Sequence, residues 1–213
     1  LVPYHVRCRA HYIDSFDPAK VAAALRRHGR DAQGLAFMAL EHPRVREAVE
    51  ELAEAGVHVL TLISDLAQSR REAYIGMDNR AAGRTAGLLL GRMAVALHRD
   101  TLLLVSQATR LSAEIERRIG FAQVIEERFS GLRVQRAPDL PPDDAGAYEV
   151  LRRYLQSEFD FSRLAGVYCV GTGAAGVVRA VGSDGLRLKN DDHPMPLCVQ
   201  EVRGHAKARR RVF

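Results

Sequence analysis

VLTLISDLAQSRREAYIGMDNRAAGRTAGLLLGR, residues 59–92, holds in one run the three features on which the fold turns. Its start, extended back to Val57 as VHVLTLIS (57–64), is an apolar, partly β-branched run, the mark of a buried strand. The next stretch, DLAQSRREAYIGM (65–77), is polar and without period, and reads as the place where the chain crosses from one sheet to another. Asp78 and Asn79 then stand as cap residues before a long helix running to about His98.

The same alternation continues outward on both sides. Upstream, VRCRAHYI (6–13) reads as a strand. Asp17 stands as an N-cap before Pro18 at the first helical position, AKVAAALRRH (19–28) is the helix, and Gly29 closes it or lies just beyond. GLAFMAL (34–40) is a short strand, and His42-Pro43 opens a helix in which Val45, Val49 and Leu52 fall at helical spacing. Downstream, strands are expected at TLLLVSQ (101–107), LRVQRA (132–137), LAGVYCV (164–170) and MPLCVQ (195–200). Helices are expected at 111–129 and 143–159, with a short one through Val181. About seven apolar strands alternating with helices imply an α/β fold of parallel sheets covered on both faces. In such folds ligands sit at the carboxyl ends of the strands.

Composition narrows the function classes. With 213 residues and 47% apolar content the chain can bury a core. No run is long and apolar enough to read as a membrane span. The opening LVPYHVRCRAHYID shows no charged region followed by an apolar stretch, so no secretory signal is read. Cys8, Cys169 and Cys198 lie far apart without a CxxC pair and read as buried reduced thiols. The net charge of +5 comes from the segment RGHAKARRRVF (203–213), which holds Arg203, Lys207, Arg209, Arg210 and Arg211 and no acid. Removing these five from the 31 basic residues leaves 26 against 26 acidic ones. The body of the chain therefore offers no basic face for DNA, and any binding by the tail should be nonspecific and salt-sensitive.

Motifs for chemistry are thin. There is no HExxH, GxSxG or Walker loop, and the eight histidines are scattered without i, i+4 pairs, so neither catalytic residues, a metal nor a cofactor are expected. Gly171-Thr-Gly173-Ala-Ala-Gly176 follows a strand and matches GxGxxG, the dinucleotide fingerprint. It comes late in the chain, and the acid expected about 20 residues on is served only by Asp191-Asp192 or Glu201. A tight turn into a closely packed helix is the plainer reading. Gly83, Gly87 and Gly91 recur every four residues beside Arg80, Arg84 and Arg92, and read as a small-residue face packed on a sheet. Asp65 stands immediately after a buried strand, where a carboxylate can accept two hydroxyl hydrogen bonds from a polyol.

These residues bring a family into view. The 59–92 stretch, with its apolar strand ending in Ser-Asp, its Tyr-x-Gly-x-Asp-Asn and its Ala-Gly-rich helix, resembles the core of the LacI-type transcriptional regulators. ERRIGFAQVI (116–125) resembles their Arg-x-x-Gly-Phe stretch, here Arg117, Gly120 and Phe121, and GVYCVGTGAAGV (166–177) resembles their strand and turn at the ligand cleft. The likeness covers roughly residues 5–202. It implies a two-lobed periplasmic-binding-protein-like fold of type I, incomplete here, with an N-terminal lobe over 1–76, a C-terminal lobe over 77–202 and a basic irregular tail over 203–213. It also implies a cytoplasmic effector-sensing domain of a bacterial DNA-binding regulator. The effector would be a sugar or related polyol, the intact protein a homodimer, and operator DNA would be bound only through a separate helix-turn-helix domain. Expected effector contacts are Asp65, Arg117, Ser64, Asp14, Phe16, Cys169 and Gly171.

Asp65 should project from its strand end and Arg117 should face it from the other lobe, one supplying acceptors and the other donors. The plainer alternative has Asp65 capping a turn and Arg117 pairing with Glu114 or Glu116 on the surface. This chain departs from the regulators in several places. It begins after their first strand and helix, it reads Cys-Val-Gly at 169–171 where they offer polar groups, and it ends in a tail unlike their closing elements, so a fragment is expected. Because periplasmic sugar-binding proteins share the fold, a transporter's sugar-binding protein stands as the alternative. A nucleotide-dependent enzyme using Gly171 to Gly176 stands as the second.

Overall fold

The computed structural model describes residues 7–107 and 111–182, with the backbone of 197–200. The tail at 203–213, Asp191, Asp192, Glu201 and the Cys198 side chain, all singled out above, lie outside the described residues. The chain forms two compact units, Leu1–Gly76 and Met77–Phe213.

In the first unit, α1 (Pro18–Gly29) begins where Asp17 accepts a hydrogen bond from the Ala19 N–H at 2.8 Å. The second helix, α2 (Pro43–Glu54), begins at His42, whose ring nitrogen accepts from Arg44 N–H at 3.2 Å. In both, Pro at the first position loses no helical hydrogen bond. The sheet is β1-β2-β3, all parallel, with β1 at Gly34–Phe37, β2 at His58–Leu62 and β3 at Ala73–Ile75. The apolar face of α2 (Val45, Ala48, Val49, Leu52) is buried together with Val59 and Thr61 of β2, and α1 packs on α2. Gly29 lies close against α2, where a Cβ would meet Leu52 Cδ1 at 2.8 Å.

Three expectations are corrected here. VRCRAHYI is not a strand: residues 7–13 carry no regular structure, and Tyr12 is 84% exposed. A strand exists only through a hydrogen-bonded neighbour, and this segment pairs with none of the three described strands. Conversely, the polar stretch 65–77 contains β3, which pairs Leu60 with Ala73 and Leu62 with Ile75. Finally, β1 and β2 alternate between more and less buried positions, so this sheet buries one face rather than two.

The second unit has the doubly covered sheet. Its order is β5-β4-β6-β7, all parallel, with β4 at Thr101–Val105, β5 at Arg133–Arg136, β6 at Leu164–Val170 and β7 at Leu197–Gln200. The helices are α3 (Asn79–Ala96), α4 (Ser112–Arg128), α5 (Asp144–Ser157) and α6 (Ala174–Gly182). Alternation along the strands divides the core. Leu102 and Leu104 join Tyr168 and Val170 beneath α3 and α4, while Leu103 and Val105 join Val167 and Cys169 beneath α5 and α6. That is why both central strands read as continuous apolar runs.

The glycines of α3 do not pack on the sheet, as the sequence suggested, but on α4. A Cβ at Gly83 would lie 2.9 Å from Arg117 Cα with its carbonyl oxygen closer still, and one at Gly91 would enter the Phe129 ring. From the other side, Gly120 of α4 faces the Arg80 carbonyl in the same way. The two helices thus touch backbone to backbone. Ion pairs flank the contact, Arg80 to Glu116 at 2.6 Å and Arg84 to Glu127 at 2.8 Å.

Candidate functional site

Most of the candidate groups cluster at the carboxyl ends of strands in each unit. In the first, β2 ends at Leu62, and Ile63 turns the chain with φ 65°, a conformation β-branched residues rarely adopt. It is held there by Ile63 N–H donating to Ile75 O at 3.0 Å and by Tyr74 Oη donating to Ile63 O at 2.9 Å. Ser64 is fully buried, its carbonyl accepting from Ala39 N–H at 3.3 Å. Asp65 follows. Its Oδ1 accepts from Thr61 Oγ1 and from Leu66 N–H, each at 2.8 Å, and Arg71 grips both carboxylate oxygens, Nη2 to Oδ2 at 2.6 Å. Partial burial pushes the Asp65 carboxyl up, but Arg71, Thr61 and Leu66 outweigh it and hold it below the ordinary carboxylate range. The side chain is therefore an anion at neutral pH, fixed in orientation by bonds from three residues. Asp14 and Phe16 are exposed in the loop before α1. Arg71 and Thr61 were missed in the sequence, since a partner six residues on across a loop has no periodicity to betray it.

In the second unit, Arg117 is 2% exposed, and this corrects the surface pairing considered for it. Its Nε donates to Asn79 Oδ1 at 2.9 Å, its Nη2 lies 3.7 Å from Met77 Sδ, and Glu116 pairs with Arg80 instead. Asn79, expected as a cap, is the first residue of α3 and orients Arg117. The capping itself falls to Asp78, whose Oδ1 accepts from Ala81 N–H at 2.8 Å. Cys169 is buried in the core facing α5 and α6, whereas Cys8, expected to be buried, is exposed.

Gly171 directly follows β6 with φ 112°, and a Cβ there would meet the Glu114 carboxyl at 3.0 Å. Gly173 has φ 79°, and a Cβ at Gly176 would enter the backbone of Asp144 at the start of α5. The GxGxxG match is thus accounted for by two left-handed turn positions and one close helix contact. Glu114, considered in the sequence only as a surface partner for Arg117, is 4% exposed in the first turn of α4; an acid on a helix of mixed charge reads as solvated. Burial pushes it up to about 7 against the lowering pull of Arg117 and Arg118. Among the described residues no group of His, Cys, Asp or Glu is placed to hold a metal ion, and no helix is long and apolar enough to cross a membrane.

Parallel sheets with polar side chains gathered at their carboxyl edges define an α/β ligand-binding domain. The profile of the periplasmic binding protein domain matches residues 16–207, and the chain belongs to that family. Among solved structures it is similar to the glucose-galactose binding protein GanP from Geobacillus stearothermophilus. That pair is 21% identical over 75% of this chain and 56% of that one, with a TM-score of 0.65. The XylFII-LytSN complex is 22% identical, over 89% and 65%, with a TM-score of 0.70. The Caulobacter myo-inositol binding protein bound to myo-inositol is 18% identical, over 78% and 56%, with a TM-score of 0.68. The chain therefore spans 56–65% of the length of these relatives. A comparison with curated proteins returned no match.

Proposed function

We propose that the chain is the greater part of a sugar- or polyol-binding domain of the solute-binding kind that serves transporters, with lobes over 1–76 and 77–202. The observation that carries this is Asp65, a carboxylate preset at the carboxyl end of β2 by Arg71, Thr61 and the Leu66 N–H. A preset acceptor binds hydroxyls without the entropy cost of being ordered. The proteins of similar fold, named for glucose and galactose or holding myo-inositol, support the ligand class. Arg117, a donor-only side chain, supplies the complementary role toward hydroxyl oxygens, and Ser64, Asp14, Phe16, Cys169 and Gly171 remain proposed contacts of lower rank. Calorimetric titration of the full-length protein with pentoses, hexoses and inositol tests the proposal. Saturable binding of one of them is expected, and failure of all to bind overturns it.

A second reading is favoured by the 59–92 stretch and its likeness to the LacI-type regulators: a cytoplasmic effector-sensing domain, homodimeric, bound to operator DNA through a helix-turn-helix domain of its own. The reading frame upstream of residue 1 separates the two. A helix-turn-helix there establishes the regulator, and a signal peptide the transporter component.

A further inference from the structure

Ser106 directly follows β4 and Gly171 directly follows β6, and these strands are hydrogen-bonded neighbours. Ser106 is 1% exposed, and its Oγ has no hydrogen-bond partner among the described residues. The same holds for Oε2 of Glu114, whose carboxyl lies against the Gly171 turn. A buried polar atom without a partner destabilises the fold that contains it, and native proteins hold few of them. An apolar side chain at either position would fill the space without that cost. Two unmet polar atoms of this kind invite a partner from outside the fold, and both stand at the carboxyl edge of the sheet.

We propose that Glu114 and Ser106 form a second hydroxyl-reading anchor for a polyol ligand, separate from Asp65 and built entirely within the second unit. The proposal rests on the polyol-binding function above. A ligand hydroxyl donates to Glu114 Oε2, and a neighbouring one accepts from or donates to Ser106 Oγ. Because burial pushes Glu114 up to about 7, a share of the molecules keeps the proton near neutrality, so the carboxyl also donates. A deoxy sugar lacking either hydroxyl leaves a dry polar group unpaired, and the site rejects it on that account.

The test combines calorimetric titration of the full-length protein with thermal melts of the ligand-free protein. The probes are myo-inositol, D-arabinose, D-glucose and D-galactose, and the proteins are wild type, Glu114→Leu and Ser106→Ala. Whichever probe binds the wild type is expected to bind each variant at least tenfold more weakly, while the Tm of each variant holds or rises. Affinity unchanged in either variant overturns the anchor and leaves the polyol-binding function standing. A Tm that falls together with affinity assigns the residue a structural role and overturns the anchor as well. Failure of all four probes to bind the wild type brings down both the anchor and the function on which it rests.

Discussion

Substituting Gly83 by alanine sets two opposed effects against each other, and the structure decides the sign. In a helix interior alanine is favoured over glycine by about 1 kcal/mol, so a free α3 would gain from the change. In the fold, the new Cβ would lie 2.8 Å from the Arg117 carbonyl carbon and 2.9 Å from its Cα, with the oxygen nearer still. These are backbone atoms, which no rotamer change can move. Ordinary carbon contacts lie at about 3.5–4.0 Å, so α3 and α4 must part by roughly 1 Å or more along their crossing. Overpacking of this kind typically costs about 1–3 kcal/mol, and parting the helices would also strain the Arg80–Glu116 and Arg84–Glu127 pairs that flank the contact. The net expectation is a loss of about 1–2 kcal/mol, read in urea unfolding as a midpoint lower by about 0.5–1 M at an unchanged slope. Gly131→Ala, where nothing lies within 4 Å of the new methyl, serves as control and should leave the midpoint nearly unmoved. A Gly83→Ala protein more stable than wild type would show that propensity governs and that the helices do not meet backbone to backbone.

Further expectations concern pH and ligand. Glu114 is raised from its ordinary 4.5 to about 7, so the unfolded chain ionises first as pH rises. The contribution of Glu114 to stability is then fully present below about pH 4.5 and falls by about 3 kcal/mol by pH 7, and Glu114→Gln should flatten that part of the pH dependence in melts at stepped pH. Asp100 is lowered from its ordinary 3.8 to about 2, chiefly by the Arg163 hydrogen bond and then by Thr101, so its contribution is present above pH 4 and lost between pH 4 and 2. Asp100→Asn should weaken the acid limb of the unfolding profile, and an unaltered limb would show the pair contributes nothing. In a protein that binds a sugar, Asp65→Asn and Arg117→Met should each lower affinity by about ten- to a few hundredfold, from about 1–3 kcal/mol per lost hydrogen bond. Full affinity in either variant removes that residue from the site.

The caps and apolar runs were legible because they are local. Asp17, His42 and Asp78 stand next to the N–H groups they satisfy, and the strands at 101–105 and 164–170 announce themselves by nearly unbroken apolar runs. VRCRAHYI misled because its composition suits a strand while its neighbours do not, and β3 was hidden because a three-residue edge strand carries too few positions to show a period. The glycine repeat of α3 announced a close approach but not to what, since the same face would suit a sheet or a helix. Asp65 was legible as a position, directly after a buried strand, while its grip by Arg71 was not.

By itself the sequence determined most of the alternation of strands and helices, their parallel character and the residues that begin α1, α2 and α3, because short-range sterics and hydrogen bonding set these within a few residues. Only the tertiary structure decided that α3 lies on α4, that one sheet is covered on both faces and the other on one, and that Glu114 is a buried acid beside Gly171 rather than part of a solvated helix face. Those outcomes depend on which surfaces meet across the fold. Burial, and with it the charge state of a carboxyl, belongs to that encounter and not to any window of sequence.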